Sequence, residues 1–259
     1  NPFHGISHLS QERARARDHA ISQAEYCAKL VMASLENGAN GFMFSASDIT
    51  LSILRIIREK SGSNQLRLYA LVPYAYEYVR LATQAGGLPG LAKKFAKQIA
   101  LSGNLRAIAM GLKGVVRTDP MALLKTYLLY EISRIKSSAG KQANIDSVLL
   151  HEIITDMALA LNLNWLFNSY VDFMLGLGIK PGFETRNFAY LVNRFRKWSI
   201  DFREIIIATP FNKVGFQMNP SRIECEKALA NLPEPNVIAI SILAAGYLKP
   251  PDAIRYLRS

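Results

Sequence analysis

Four histidines occur in the 259 residues, and three of them, His4, His8 and His151, fall where apolar runs give way to polar turns. An imidazole titrates near neutrality, with an ordinary pKa of about 6.5, so a histidine at such a place can move protons. His151 closes the run Ser147-Val148-Leu149-Leu150 and is followed at once by Glu152. Strand alternation gives His151 the parity of Leu149 and sends Glu152 to the other face. Glu184 ends a second run, Gly182-Phe183-Glu184-Thr185, with Arg186 two residues on. Lys213 sits in Thr209-Pro210-Phe211-Asn212-Lys213-Val214-Gly215-Phe216, just beyond a third. A lysine there can hold an anion, or form a Schiff base with a carbonyl if apolar surroundings activate it. The expected catalytic set is therefore His4, His151, Glu184 and Lys213. The expected substrate contacts are His8, Ser45, Glu152, Arg186, Asn212 and Ser241.

Two other chemistries use some of the same residues. His4, His8, His151, Glu152 and Glu184 are of the types that ligate transition metals. Pro2 and Gly5 place His4 and His8 on a strand or loop, where a four-residue spacing makes no metal pair. Neither a cofactor nor a particular metal is specified. Walker phosphate loops, Gly-x-Gly-x-x-Gly turns, Gly-x-Ser-x-Gly elbows and His-Glu-x-x-His helices do not occur.

Residues scattered this widely need a scaffold that gathers strand ends. The repeated unit is a short apolar run, a polar turn and an amphipathic helix, which is the order of parallel strands with helical crossovers. The runs are Gly41–Ser45, Leu68–Pro73, Ser147–His151, Gly182–Thr185, Glu204–Thr209 and Val237–Leu243. The fifth reads as buried on both faces, as a helix-covered sheet requires. Asp48 is expected to cap the helix after the first run. Six strands, a clipped one before Gly5 and one lost at the end make eight, the number of a TIM-type (β/α)8 barrel, whose active sites lie at the C-terminal strand ends. The first and last strands are thus expected to fall outside this sequence. Residues 1–75 and 146–259 would form the barrel, and 76–145 a helical insertion over its mouth, with helices near Leu91–Lys97 and Met121–Ile135. From Leu91 to Lys141 there are ten Lys and Arg against Asp119 and Glu131.

Part of the chain resembles the aldo/keto reductase barrels. Val237-Ile238-Ala239-Ile240-Ser241-Ile242-Leu243-Ala244-Ala245-Gly246-Tyr247-Leu248 is similar to that family's seventh-strand segment. Asp146-Ser147-Val148-Leu149-Leu150-His151 resembles its fourth strand, which ends in a catalytic histidine. Gly182 to Phe188, with Arg186-Asn187-Phe188, is similar to the strand that contacts the nicotinamide. The resemblance implies a barrel, a catalytic His151 and an NAD(P)-dependent hydride transfer. The family's tyrosine has no counterpart between Ser45 and Thr50, where only Asp48 fits, and its third-strand lysine has none between Leu68 and Ala75.

The formal net charge is +11 and the pI about 9.7, which favours anionic partners such as phosphorylated metabolites or nucleic acid. The basic residues are not interleaved with aromatics in a nucleic-acid module, so a non-enzymatic nucleic-acid-binding role is the less favoured expectation. The longest apolar stretch, Met157 to Ile179, holds Asn162, Asn164, Asn168 and Asp172, which argues against a membrane span. Two distant cysteines, Cys27 and Cys225, suggest a reduced, cytoplasmic setting. The sequence therefore leads to an enzyme acting on a small anionic metabolite by acid/base or Schiff-base chemistry. A metal-dependent barrel enzyme and an oxidoreductase stand as alternatives, and oligomeric state is not specified.

Overall fold

The computed structural model describes residues 23–61, 66–73, 120–141 and 143–259. Their elements alternate: α1 (Ala24–Glu36), β1 (Gly41–Ser45), α2 (Asp48–Ser61), β2 (Arg67–Val72), α3 (Pro120–Ala139), β3 (Asn144–Leu150), α4 (Glu152–Ala160), α5 (Asn164–Leu175), β4 (Lys180–Glu184), α6 (Phe188–Lys197), β5 (Ile206–Pro210), α7 (Arg222–Ala230), β6 (Val237–Ile240), a 3-10 turn (Ala244–Gly246) and α8 (Pro250–Arg258). The strands form one parallel sheet in the order β1-β2-β3-β4-β5-β6, each beside its sequence neighbours. This is an α/β fold with a parallel sheet of six strands alternating with helices, as the apolar runs predict. No helix among the described residues is long and apolar enough to cross a membrane.

The chain divides into two compact units, one of 24–148 with 172–179, the other including 149–171 with 180–259. In the first, β1 and β2 pair from Gly41 against Arg67 to Ser45 against Leu71. Leu51, Leu54 and Ile57 of α2, Leu68, Ala70 and Val72 of β2, and Leu128, Ile132 and Ile135 of α3 are buried. Gly41 is required at the foot of β1, since a Cβ there would lie 2.8 Å from Cε2 of Tyr69. That ring is pinned: its hydroxyl donates to Oδ2 of Asp146 at 2.8 Å, and Arg67 pairs with the same oxygen. Burial alone would raise the Asp146 pKa, but hydrogen bonds from Arg67 and Tyr69 hold it below its ordinary value.

The helix after β1 starts one residue earlier in its capping than the sequence suggests. Ser47 is the cap, exchanging hydrogen bonds with Thr50, while Asp48 is the first helical residue and pairs with Arg134 of α3. Arg134 also binds Glu131, a nearly solvent-free carboxylate on its own helix. Arg58 of α2 donates to the Ser137 carbonyl at 3.0 Å. The helix expected over Met121–Ile135 is thus α3, packed on α2 and leading into β3. The remainder of the expected insertion, 76–119, lies outside the described residues.

The second unit is built on aromatic packing. Phe183 of β4 lies within 5.0 to 5.6 Å, ring centre to ring centre, of Phe195, Tyr170 and Phe167. Trp198 stacks on Phe167. All five residues of β5 are buried, as its unbroken apolar run predicts.

Candidate functional site

β3 ends at Leu150 and β4 at Glu184, and these strands are neighbours in the sheet. The chain turns into α4 immediately after β3, so strand alternation stops there. His151 becomes the N-cap of α4: its Nδ1 accepts from the Ile153 N–H at 3.3 Å. That bond requires an unprotonated Nδ1 and places the proton of the neutral ring on Nε2. Desolvation lowers the His151 pKa, Arg186 lowers it further, and Glu152 opposes both.

Glu152, the first residue of α4, is not turned away as the strand reading expects. It forms an ion pair with Arg186 Nε, and its own backbone N–H donates to Oε2 of Glu184 at 3.4 Å. Glu184 retains only 9 % side-chain exposure, and Arg186 Nη2 stands 3.5 Å from its Oε1. Burial raises the Glu184 pKa to about 7, with Glu152 and Asp156 adding to the rise and Arg186 and the Glu152 N–H resisting it. Four expected residues, His151, Glu152, Glu184 and Arg186, therefore form one cluster.

Sequence reasoning missed the group that aligns this cluster. Asp156, one turn into α4, accepts from the Thr185 hydroxyl through Oδ1 and from the Arg186 N–H through Oδ2 at 3.1 Å. Thr185 is fully buried and also accepts from the Asn187 N–H at 2.9 Å. The available signal was spacing: Glu152 and Asp156 are four residues apart and share one face of α4. The guanidinium is not saturated. Its Nε contact with Glu152 is an ion pair whose alignment falls short of a hydrogen bond, and Nη1 is shielded from solvent with no hydrogen-bond partner among the described residues.

The other expected residues are placed differently. Asn212 is fully buried and spent on its own loop: Nδ2 donates to the carbonyls of Phe216 and Ser241, and Oδ1 accepts from the Phe216 N–H. Ser241, directly after β6, has φ of +51°, and its carbonyl takes up Asn212 and the Ala244 N–H. Lys213 is exposed; its carbonyl accepts from Arg222, and no hydrogen bond or ion pair joins its ammonium to the cluster among the described residues. Ser45 ends β1 in the other unit, where its carbonyl accepts from the Thr50 hydroxyl at 2.6 Å. His4 and His8 lie outside the described residues. Among the described residues no group of three or more His, Cys, Asp and Glu side chains is arranged to hold a metal ion. Cys225 is buried, and its thiol donates to the Asn219 carbonyl at 3.3 Å.

No family model, no curated protein and no solved structure matches this chain. A carboxyl that titrates near neutrality, a neutral imidazole and a guanidinium can give, take and stabilise charge around one bound molecule.

Proposed function

We propose that this chain is an enzyme of the TIM-type barrel class that acts on a small anionic metabolite by general acid/base catalysis, with Glu184 as the group that carries the proton. The observation behind this reading is a carboxyl with a pKa near 7, enclosed at the C-terminal end of a parallel strand beside Arg186, whose charge His151 also feels. Arg186 is the anchor for the anion. Its unpartnered Nη1 favours an acceptor, though Glu152 already holds part of its charge, so a substrate carboxylate or phosphate competes with Glu152. Neutral His151 fits a hydrogen-bond donor through Nε2. Lys213, being exposed, fits a point charge for the anion better than a Schiff-base amine, which needs enclosure.

Deuterium exchange tests this without knowledge of the full reaction. Candidate keto acids and sugar phosphates are incubated with the protein in D2O, and loss of C–H signal is followed by NMR. Exchange is expected with at least one substrate, abolished in Glu184→Gln and weakened in substrate affinity by Arg186→Met. Exchange that survives Glu184→Gln removes Glu184 from the role. If borohydride traps an adduct on Lys213 that is absent in Lys213→Met, the chemistry is covalent instead.

A further inference from the structure

We propose that the outer face of α4 and the first turn of α5 is a self-association surface, on which a second copy of this chain docks about a twofold axis. The inner face of α4 is ordinary: Thr155, Ala158 and Leu159 are buried. Its outer face is apolar as well. Ile153 is 47 % exposed, Met157 56 %, Leu161 64 % and Trp165 46 %. The first three follow one another at four-residue spacing along α4 and its C-cap; Trp165 follows in the first turn of α5, after Asn162 breaks the helix with φ of +55°. Exposed apolar side chains gathered on one helix face mark an interaction site. Other helices of the same unit put cations on their solvent faces: α6 exposes Arg196 and Lys197, and α8 exposes Arg255 and Arg258 beside Ile254 and Leu257.

Charge identifies the occupant. With a net +11, two copies repel each other over most approaches. None of the 31 Lys and Arg lies between Lys141 and Lys180, so this face presents no cation to a twin. The acids of α4 are turned to internal partners, Glu152 to Arg186 and Asp156 to Thr185 and the Arg186 amide. What borders the apolar row is exposed and neutral: Asn162, Asn164 and Asn168. An amide both donates and accepts, so it pairs with its own copy across a twofold axis. Exposed Met and Trp in a patch without Lys or Glu have the composition of an interface centre. A face without cations serves neither nucleic acid nor an anionic membrane.

Sedimentation velocity of the full chain, from about 1 μM to about 100 μM, measures the association directly. A monomer–dimer equilibrium is expected, and it should tighten with added salt, because salt screens the repulsion while leaving apolar contact intact. Met157→Glu and Trp165→Glu should each weaken it by about tenfold or more. Their circular dichroism should be unchanged, since both side chains are exposed. Ile223→Glu, on the exposed face of α7, should leave the equilibrium as it is. A chain that stays monomeric throughout overturns the proposal. So does a dimer that survives both glutamates, one that Ile223→Glu disrupts equally, or one that dissociates as salt rises.

Discussion

The backbone N–H of Glu152 donates to Oε2 of Glu184 over 3.4 Å, so the start of one crossover helix holds the last residue of the next strand. A helix N-terminus favours a carboxylate, yet burial outweighs it and raises the Glu184 pKa to about 7. The folded state thus binds this proton more tightly than the unfolded chain, where the ordinary value is 4.5. Glu184 stabilises the fold relative to its ionised form at low pH, and the cost of ionising it grows as pH rises between those two values. Above neutrality the cost amounts to about 3 kcal/mol. Glu184→Gln should remove this slope, so that urea midpoints at about pH 5 and about pH 8 differ less in the variant than in the parent. An unchanged slope would show that Glu184 is not the titrating group.

Arg186 and Glu152 act on Glu184 with opposite sign. Removing the guanidinium in Arg186→Met should raise the Glu184 pKa beyond its present value. Glu152→Gln should lower it, because a neighbouring negative charge disappears while the backbone N–H remains. Carboxyl carbon shifts followed by NMR across the titration report both. Shifts in the same direction in the two variants would contradict the ion-pair geometry.

His151 gives the reverse pH dependence. Its Nδ1 caps α4 only when unprotonated, and desolvation, aided by Arg186, lowers its pKa. Stability from this group is present above the ordinary histidine value and is lost as pH falls through the lowered one. His151→Ala should cost about 1 kcal/mol at neutral pH, and His151→Asn, a good cap, should recover most of it. Thermal unfolding at neutral and mildly acidic pH separates the two effects, because the alanine variant loses the acid-side decline attributable to this ring.

Asp156 is predicted to matter more than its position in mid-helix suggests. Asp156→Ala leaves the buried Thr185 hydroxyl and the Arg186 N–H without their acceptor, at about 1–3 kcal/mol for each group. Hydrogen exchange at the Arg186 amide should accelerate sharply while Phe183 in β4 stays protected. Asp156→Asn keeps one acceptor and should lose about half as much.

The strands were legible because a covered parallel sheet demands unbroken apolar runs, and β1, β5 and β6 begin within two residues of where Gly41, Glu204 and Val237 place them. β3 starts earlier than its apolar core, at Asn144, since Asp146 is a strand residue satisfied by Arg67 and Tyr69 rather than a loop residue. Local pattern carries no information about such a distant partner. The same blindness explains the site. His151, Glu184 and Arg186 were visible as polar residues at strand ends. The placement of Glu152 was misjudged because a strand rule was extended one residue into a helix. Asp156 was passed over because its four-residue spacing from Glu152 does not reveal its partners, Thr185 and Arg186, which lie just beyond the end of β4. Asn212 carried the marks of a ligand contact, and only the loop geometry shows its amide fully occupied by Phe216 and Ser241.

The ring of Tyr69 has a further consequence for how this chain can vary. It fills the space above Gly41 and is tethered at its far end to Asp146, which Arg67 also grips. Room for a side chain at position 41 therefore exists only when position 69 gives it up. A library that randomises position 41 alone should return glycine, whereas one that randomises 41 and 69 together should also return a larger residue at 41 beside a smaller one at 69. Such pairs would leave Asp146 with Arg67 alone, its carboxyl held less far below the ordinary value, so they should lose less stability on acidification than the parent does.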